Sequence, residues 1–161
     1  MMQQVIKTVK LMGNAFEFTA IHDSKLIADQ AIEAAINEVK RIEEFLSTYI
    51  KTSEVSLINN NAGNKPVIVS RELIALIKRA KKISEITQGA FDITYGGVDE
   101  KLWKFDTTMT ALPSAEILKE SVRLVNYKNI IVDEKDSSVL LLNKGMRIGF
   151  GGIGKGYAAM K

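Results

Sequence analysis

The sequence contains no cysteine, one histidine, two prolines and one tryptophan in 161 residues. Without cysteine the chain has no disulfide, no thiolate metal site and no cysteine nucleophile. A single histidine excludes a zinc site built from several histidines, and it leaves a Ser-His-Asp triad dependent on that one residue. The absences therefore exclude disulfide scaffolds and the common zinc sites.

The net charge of the chain is also small. Its 22 basic and 19 acidic residues give +3 at pH 7, which is too little to indicate a nucleic-acid surface, so no nucleic-acid partner is expected. No apolar run reaches the roughly 18 residues of a membrane span, and residues 1–7 lead into no signal-peptide core. Membrane association is expected only through a lipid anchor that this sequence does not contain. Hydrophobic residues at 46% and charged residues at 25% are typical of a globular domain.

Apolar spacing along the chain predicts the order β-β-α-β-α-loop-α-β-β-β-α. This order indicates an α+β fold of mixed layers, with helices packed on a largely antiparallel sheet. The first two strands, over 4–22, are joined by a bend at residues 12–14, where glycine and asparagine tolerate positive φ. The first helix, over about 25–47, is expected to use Asp23 or Ser24 as its cap. Its predicted apolar stripe is Ile32, Ala35, Val39, Ile42 and Leu46.

Six of the 11 glycines lie between Gly145 and Gly156, around a brief predicted strand at 147–148. Residues 149–154 read G-x-G-x-x-G, and the lysine and glycine that follow approach G-x-x-x-x-G-K. A dinucleotide-binding unit would need a helix, a strand and an acidic residue about 20 positions on, and a P-loop would need a hydroxyl at Gly156, so both are rejected. Two interpretations stay open in about equal measure: anion binding at a helix start beside Lys155, or close packing of helix and sheet.

Four short segments occur in a fixed order along the chain. They are MGNAFE at 12–17, FLSTY with SEVSLIN at 45–59, GAFDIT at 89–94 leading to Leu102-Trp103, and GGIGKGYA at 151–158. In this order and spacing they resemble the ApbE family of FAD:protein FMN transferases, and the resemblance covers nearly the whole chain. The ordered set is specific where each segment alone is not.

The resemblance implies an enzyme that uses Mg²⁺ and FAD to attach FMN, through a phosphoester bond, to a threonine or serine of an acceptor protein. Such transfer needs neutralisation of the pyrophosphate charge and an oriented hydroxyl. Because the acceptor supplies the hydroxyl, no nucleophilic side chain is expected in this chain. Many family members are lipoproteins of the bacterial envelope, so the family suggests the periplasmic side of the inner membrane, although the sequence itself does not set the compartment.

Position by position, the resemblance assigns roles to residues across the chain. Those implied to contact the flavin or to line the FAD pocket are Met12, Tyr49, Ala90, Phe91 and Asp92. Lys155 is implied at the pyrophosphate, where it would stabilise the leaving AMP or the transferring phosphate. The backbone carbonyl of Gly152 is implied as a Mg²⁺ ligand. Gly149 takes a cofactor-contacting position at which many members carry aspartate, so no side chain makes that contact here.

Several of these residues also have a plain structural explanation. Met12 would fill core space, Tyr49 would pack at the end of the first helix, and Asp92 would be a turn or cap residue. The GAFDIT and FLSTY contexts favour the cofactor roles of Asp92 and Tyr49. Trp103 is interpreted as a packing residue rather than a flavin-stacking one.

Family members continue past the position of Lys161 for about another domain's length, and the remaining metal ligands implied by the resemblance lie there. Residues 1–161 are therefore expected to be the N-terminal part of an ApbE-like domain, inactive when isolated. Two alternatives stay open. One is an FAD-binding protein without transfer activity, and the other is an FAD pyrophosphatase that releases FMN and AMP.

Overall fold

A computed structural model describes residues 1–98 and 114–161. The chain divides into two compact units, one made of Met1–Ser47 and Gly151–Lys161, and the other of Thr48–Phe150. Leu102-Trp103, the end of the third family segment, lies outside the described residues, so the interpretation of Trp103 as a packing residue stays a prediction. The expectation that residues 1–161 belong to one transferase domain also stays a prediction.

The smaller unit begins with an antiparallel hairpin of β1 (Gln3–Leu11) and β2 (Asn14–His22). The strands pair to their ends, so the loop has two residues, Met12 with φ +50° and Gly13 with φ +76°. Positive φ at both positions is the pattern of a type I′ turn, whose twist matches that of the paired strands. The predicted bend is confirmed. Besides Gly13, however, the residue with positive φ is Met12 and not Asn14. For methionine this left-handed conformation costs roughly 1–2 kcal/mol.

Helix α1 (Lys25–Leu46) packs against the hairpin. Its buried residues are Ala28, Ile32, Ile36, Val39, Ile42 and Leu46. The predicted stripe is wrong at Ala35, which is exposed, because the buried face advances by a step of four to Ile36 at that turn. The Lys7 ammonium of β1 donates to Glu33 of α1, and this hydrogen bond raises the pKa of Lys7.

The start of α1 is capped differently from the prediction. Ser24 is the cap residue, but its side chain makes no capping hydrogen bond. Its backbone N–H instead donates to Nδ1 of His22 at 2.9 Å. The predicted side-chain cap at Asp23 or Ser24 is therefore wrong, since the histidine that ends β2 already fixes the entry of the chain into the helix.

Side-chain hydrogen bonds connect the N-termini of two helices in the larger unit. Helices α2 (Glu54–Asn60) and α3 (Arg71–Ile86) follow Ser53 and Ser70, whose side-chain oxygens accept hydrogen bonds from N–H groups three residues on. The Glu54 carboxylate accepts from the N–H of Ser70 at 3.0 Å and from its hydroxyl at 2.8 Å. One acidic side chain thus connects the first turn of α2 to the cap of α3.

The larger unit also contains a three-stranded antiparallel sheet. Its strands, in spatial order, are β3 (Val67–Ile68), β5 (Ser138–Leu141) and β4 (Ile130–Asp133). The elements that precede β4 in the chain are α4 (Ala115–Ser121) and two 3₁₀ turns, Val122–Leu124 and Tyr127–Asn129. Helices beside antiparallel sheets confirm the predicted α+β class.

The core of the larger unit collects apolar side chains from its helices, its sheet and the segment after β5. Its fully buried members include Val55, Ile58, Leu73, Ile77, Ile93, Ile130, Leu141, Met146 and Ile148. The strand predicted at 147–148 is wrong, because Arg147 makes only a single parallel bridge, to Tyr95, and the backbone of Ile148 bonds a side chain instead. None of the described helices is long and apolar enough to cross a membrane.

Candidate functional site

The Asp92 carboxylate organises the loop that follows α3. Its Oδ1 accepts hydrogen bonds from the N–H and the hydroxyl of Thr94 at 2.8 and 2.7 Å, and its Oδ2 accepts from the N–H of Tyr127 at 2.8 Å. Thr94 is fully buried, and its Oγ1 also accepts from the N–H of Asn126 at 2.8 Å. The structural explanation of Asp92 fits these contacts, and its predicted contact with the cofactor stays a prediction.

The loop around this aspartate reaches from the end of α3 to the glycine-rich stretch. Ala90 is exposed and Phe91 half-buried, and their N–H groups donate to the carbonyl and the hydroxyl of Thr87 at 3.0 and 3.1 Å. Ile93 is buried, and its carbonyl accepts from the N–H of Gly149 at 2.8 Å. Four of the predicted site residues, Ala90, Phe91, Asp92 and Gly149, therefore belong to one connected region of the larger unit.

Gly149 lies directly against the ring of Tyr95. A Cβ atom on Gly149 would stand 3.1 Å from Tyr95 Oη and 3.4 Å from Cζ, so a side chain there would have to displace the ring. Tyr95 is 50% exposed, so the tyrosine is accessible at this point of the loop. A Cβ on Gly156 would meet open space, so close packing does not explain that glycine.

A second connection to the glycine-rich stretch comes from Asn59 of α2. Its Nδ2 donates to the carbonyl of Ile148 at 3.0 Å, and its Oδ1 accepts from the N–H of Ile148 at 2.7 Å. Asn59 is 7% exposed and Ile148 fully buried. The amide side chain pairs with the backbone as a neighbouring strand would, and it fixes the residue immediately before Gly149.

Tyr49 follows α1 in the sequence and belongs to the larger unit. It is 88% exposed, which argues against the explanation that its ring is buried at the helix end. Aromatic rings with one face toward solvent are common in the linings of ligand pockets. Its predicted place in the FAD pocket stays a prediction.

Three predicted site residues belong to the smaller unit. Met12 forms the hairpin turn, and its N–H donates to Oε1 of Glu43 at 2.8 Å. Gly152 is exposed in the turn before α5 (Gly154–Ala159), a helix that packs against α1. Lys155, half-buried, stands in the first turn of α5. Within residues 1–98 and 114–161 its ammonium has no ion-pair partner, so it is available to an anionic ligand.

The described residues offer few ligands for a metal ion. The described residues contain no group of three or more His, Cys, Asp or Glu side chains placed to hold a metal ion. Mg²⁺ takes oxygen ligands in near-octahedral geometry, and the Gly152 carbonyl is one oxygen of that kind. The described residues alone therefore do not fit a Mg²⁺ ion.

Sequence reasoning missed two residues that hold the site together. Thr94 and Asn59 are buried, and each bonds backbone groups far away in the sequence. Both lie in segments that carry the family resemblance, GAFDIT and SEVSLIN. No local signal singles them out, because both segments contain other polar residues and the bonded partners are distant in the sequence.

We expect Asp92→Asn to lower the free energy of unfolding by about 2 kcal/mol, because the amide nitrogen replaces one carboxylate oxygen and cannot accept the hydrogen bonds that this oxygen accepts. Urea denaturation measures this change. The matched control is Asp133→Asn, which alters a carboxylate that accepts two N–H groups in an exposed turn, with an expected loss under about 0.5 kcal/mol. Equal losses in the two variants would contradict the role of Asp92 in holding this loop. Unchanged stability with lost FAD affinity would assign Asp92 to the cofactor instead.

Comparison with known proteins places these motifs in a family. A family model described as the ApbE family matches residues 12–161. Two curated relatives, both named FAD:protein FMN transferase, come from Klebsiella pneumoniae strain 342 and Treponema pallidum strain Nichols. The first is 34% identical over 132 residues, which cover 81% of this chain and 42% of the relative. The second is 31% identical over 136 residues, which cover 81% of this chain and 37% of the relative.

Solved structures agree with the family match. The crystal structure of the ApbE protein from Thermotoga maritima is similar with a TM-score of 0.85 at 32% identity, over 97% of this chain and 50% of that one. The flavin transferase ApbE from Vibrio cholerae shares the fold, with a TM-score of 0.83 at 21% identity, over 98% of this chain and 51% of that one. The chain thus spans about half the length of these solved relatives. With its match over residues 12–161, the chain belongs to the ApbE family.

Proposed function

We propose that this protein transfers FMN from FAD to the hydroxyl of a threonine or serine in an acceptor flavoprotein, and that the reaction depends on Mg²⁺. The observation that carries the proposal is the family match over residues 12–161, joined to the name FAD:protein FMN transferase that its relatives bear. Because the chain spans 42% of the Klebsiella relative, the proposal concerns the protein as its gene encodes it.

In the proposed step, the hydroxyl oxygen of the acceptor attacks the phosphorus atom in the FMN half of FAD. A new P–O bond forms while the bond from that phosphorus to the bridging oxygen breaks. AMP leaves with the bridging oxygen, the hydroxyl proton passes to water, and the flavin is neither oxidised nor reduced. Negative charge grows on the departing phosphate, so the step requires a cation beside the pyrophosphate.

Lys155 is the residue proposed to meet that charge. Its ammonium is a compact cation, half-buried in the first turn of α5, and no carboxylate among the described residues neutralises it. The residues proposed to bind FAD are those that the resemblance implies, namely Met12, Tyr49, Ala90, Phe91, Asp92 and Gly149. Support comes from the exposure of Tyr49 and Ala90 and from the hydrogen bond that joins Ile93 to Gly149.

The proposed Mg²⁺ would withdraw charge from the phosphate oxygens. The Gly152 carbonyl is proposed as one of its ligands, because it is a hard oxygen on an exposed turn. The described residues supply no acidic cluster to complete the site. The proposal therefore requires further oxygen ligands from outside the described residues.

The decisive experiment incubates the protein, as its gene encodes it, with FAD, MgCl₂ and an acceptor domain that carries a target threonine. We expect flavin fluorescence on the acceptor in a denaturing gel, and an acceptor mass increased by that of one FMN less one water. The amount of AMP released should equal the amount of acceptor that is labelled. Acceptor with Thr→Val is the control, and EDTA should stop labelling until Mg²⁺ is restored. Free FMN and AMP without labelling would indicate a pyrophosphatase, and bound FAD without products a binding protein. Residues 1–161 in isolation are expected to give no label.

The proposal includes a location, the periplasmic side of the bacterial inner membrane, with membrane association through a lipid anchor. Its support is the family resemblance. Fractionation of cells that express the native gene, with detection in spheroplast supernatant and membrane, tests it, and recovery from the cytosol alone would contradict it.

A further inference from the structure

The hairpin turn of the smaller unit places a methionine where the backbone disfavours it. Met12 has φ +50°, in the left-handed region that glycine and asparagine adopt readily and that other residues rarely enter. The next residue, Gly13, has φ +76° and suits its place. A type I′ turn would be filled more favourably by Asn-Gly than by Met-Gly. The turn therefore keeps a methionine side chain at the expense of local stability.

A second residue in an unfavourable position, Glu43, is hydrogen-bonded to the turn. Glu43 lies in the last turn of α1, where the helix dipole disfavours a carboxylate, and no basic residue accompanies it there. This half-buried carboxylate accepts a hydrogen bond from the N–H of Met12 at 2.8 Å. A charge-assisted bond of this kind is among the stronger ones in proteins. Two residues that are locally unfavourable thus meet in one contact, which is typical of a functional position.

We propose that Glu43 is a positioning residue for flavin binding. Its carboxylate holds the Met12 backbone in the left-handed conformation, and through it the Met12 side chain is kept ready to contact the isoalloxazine ring. The inference rests on the proposed function, because it takes from that function the role of Met12 at the flavin. It adds a residue that the family motifs do not include, since Glu43 precedes the FLSTY segment.

The first test measures KM for FAD and kcat in the protein as its gene encodes it. We expect Glu43→Ala to raise KM for FAD at least about fivefold, with a smaller change in kcat. Glu43→Gln keeps an acceptor oxygen and should restore KM to within about twofold of wild type. Glu44→Ala removes the same charge from an exposed neighbour and should leave KM unchanged. A wild-type KM in Glu43→Ala, or an equal rise in Glu44→Ala, would overturn the proposal.

A double-mutant cycle separates positioning from a general structural role. Met12→Gly relieves the strain and removes the side chain, so it should raise the midpoint of thermal unfolding and also raise KM for FAD. In that background Glu43→Ala should raise KM by less than about twofold further. The same fold-increase in both backgrounds would show that Glu43 acts otherwise than through Met12, and the proposal would fail.

The two hypotheses also fail in different ways. If wild type binds FAD but transfers no FMN, the proposed function fails, and the dissociation constant for FAD, from quenching of flavin fluorescence, replaces KM in the same comparisons. If wild type transfers FMN and all Glu43 variants match it, only the role of Glu43 fails. If wild type does not bind FAD at all, both are overturned.

Discussion

Lys155→Ala is expected to slow FMN transfer at least about tenfold, which corresponds to at least about 1.4 kcal/mol of lost transition-state stabilisation. Negative charge grows on the departing AMP during the proposed step, and Lys155 is a half-buried cation in the glycine-rich segment that carries part of the family resemblance. Because the charge grows toward the transition state, kcat should fall more than KM for FAD rises. Release of AMP under saturating FAD and acceptor gives the rate.

Two further variants give this experiment its controls. Lys155→Arg keeps the positive charge but replaces a compact ammonium with a planar guanidinium, so it should recover part of the lost rate. Lys128→Ala removes an exposed lysine from the larger unit and should leave the rate within about twofold of wild type. A Lys155→Ala enzyme as active as Lys128→Ala would remove Lys155 from the phosphate site.

Much of the fold was accessible from the sequence, because apolar periodicity reports directly on burial. The hairpin and α1 both occur where the apolar pattern predicted them. Two of the errors occur where one side-chain hydrogen bond replaces the local structure that the sequence pattern predicted. At the start of α1 the ring of His22 bonds the backbone of Ser24, and at Ile148 the Asn59 amide takes the place of a pairing strand.

The candidate site was predictable in part, for a different reason. The motifs identified the family, but they did not say which of their residues bind a ligand and which hold the loops. The cofactor contact of Asp92 stays a prediction, and its two oxygens bond Thr94 and the backbone of Tyr127, partners that the motif does not indicate. Met12 was expected at the flavin, yet its strained φ and its bond to Glu43 depend on a tertiary contact 31 residues away. Such partners have no local signature in a sequence.

The family segments contain residues that hold the loops in place as well as residues proposed to contact the ligand. Ser53 and Asn59 begin and end the SEVSLIN segment, and both are buried and bonded inside the larger unit. In GAFDIT the half-buried Asp92 bonds the buried Thr94. A signature of this kind records the supports of a site as well as its ligand contacts, so a matched motif residue is not by itself a binding residue.

Asn59→Ala is expected to lower the free energy of unfolding by about 3 kcal/mol, because it leaves both the N–H and the carbonyl of fully buried Ile148 without a partner. Asn59→Asp should be no more stable than Asn59→Ala, since a carboxylate can accept from the N–H of Ile148 but repels its carbonyl oxygen. Asn61→Ala is the matched control: its side chain donates to the Leu57 carbonyl in an exposed setting, and its loss should stay under about 1 kcal/mol.

Amide hydrogen exchange locates the effect that urea denaturation measures. In Asn59→Ala the N–H of Ile148 should exchange faster than in wild type, by more than global destabilisation alone produces, because its acceptor is gone. In Asn61→Ala it should exchange as in wild type. If Asn59→Ala matched Asn61→Ala in both stability and exchange, the amide would not hold the residue before Gly149. The approach of the chain to its glycine-rich turn would then depend on the bridge of Arg147 to Tyr95 and the bond of Gly149 to Ile93.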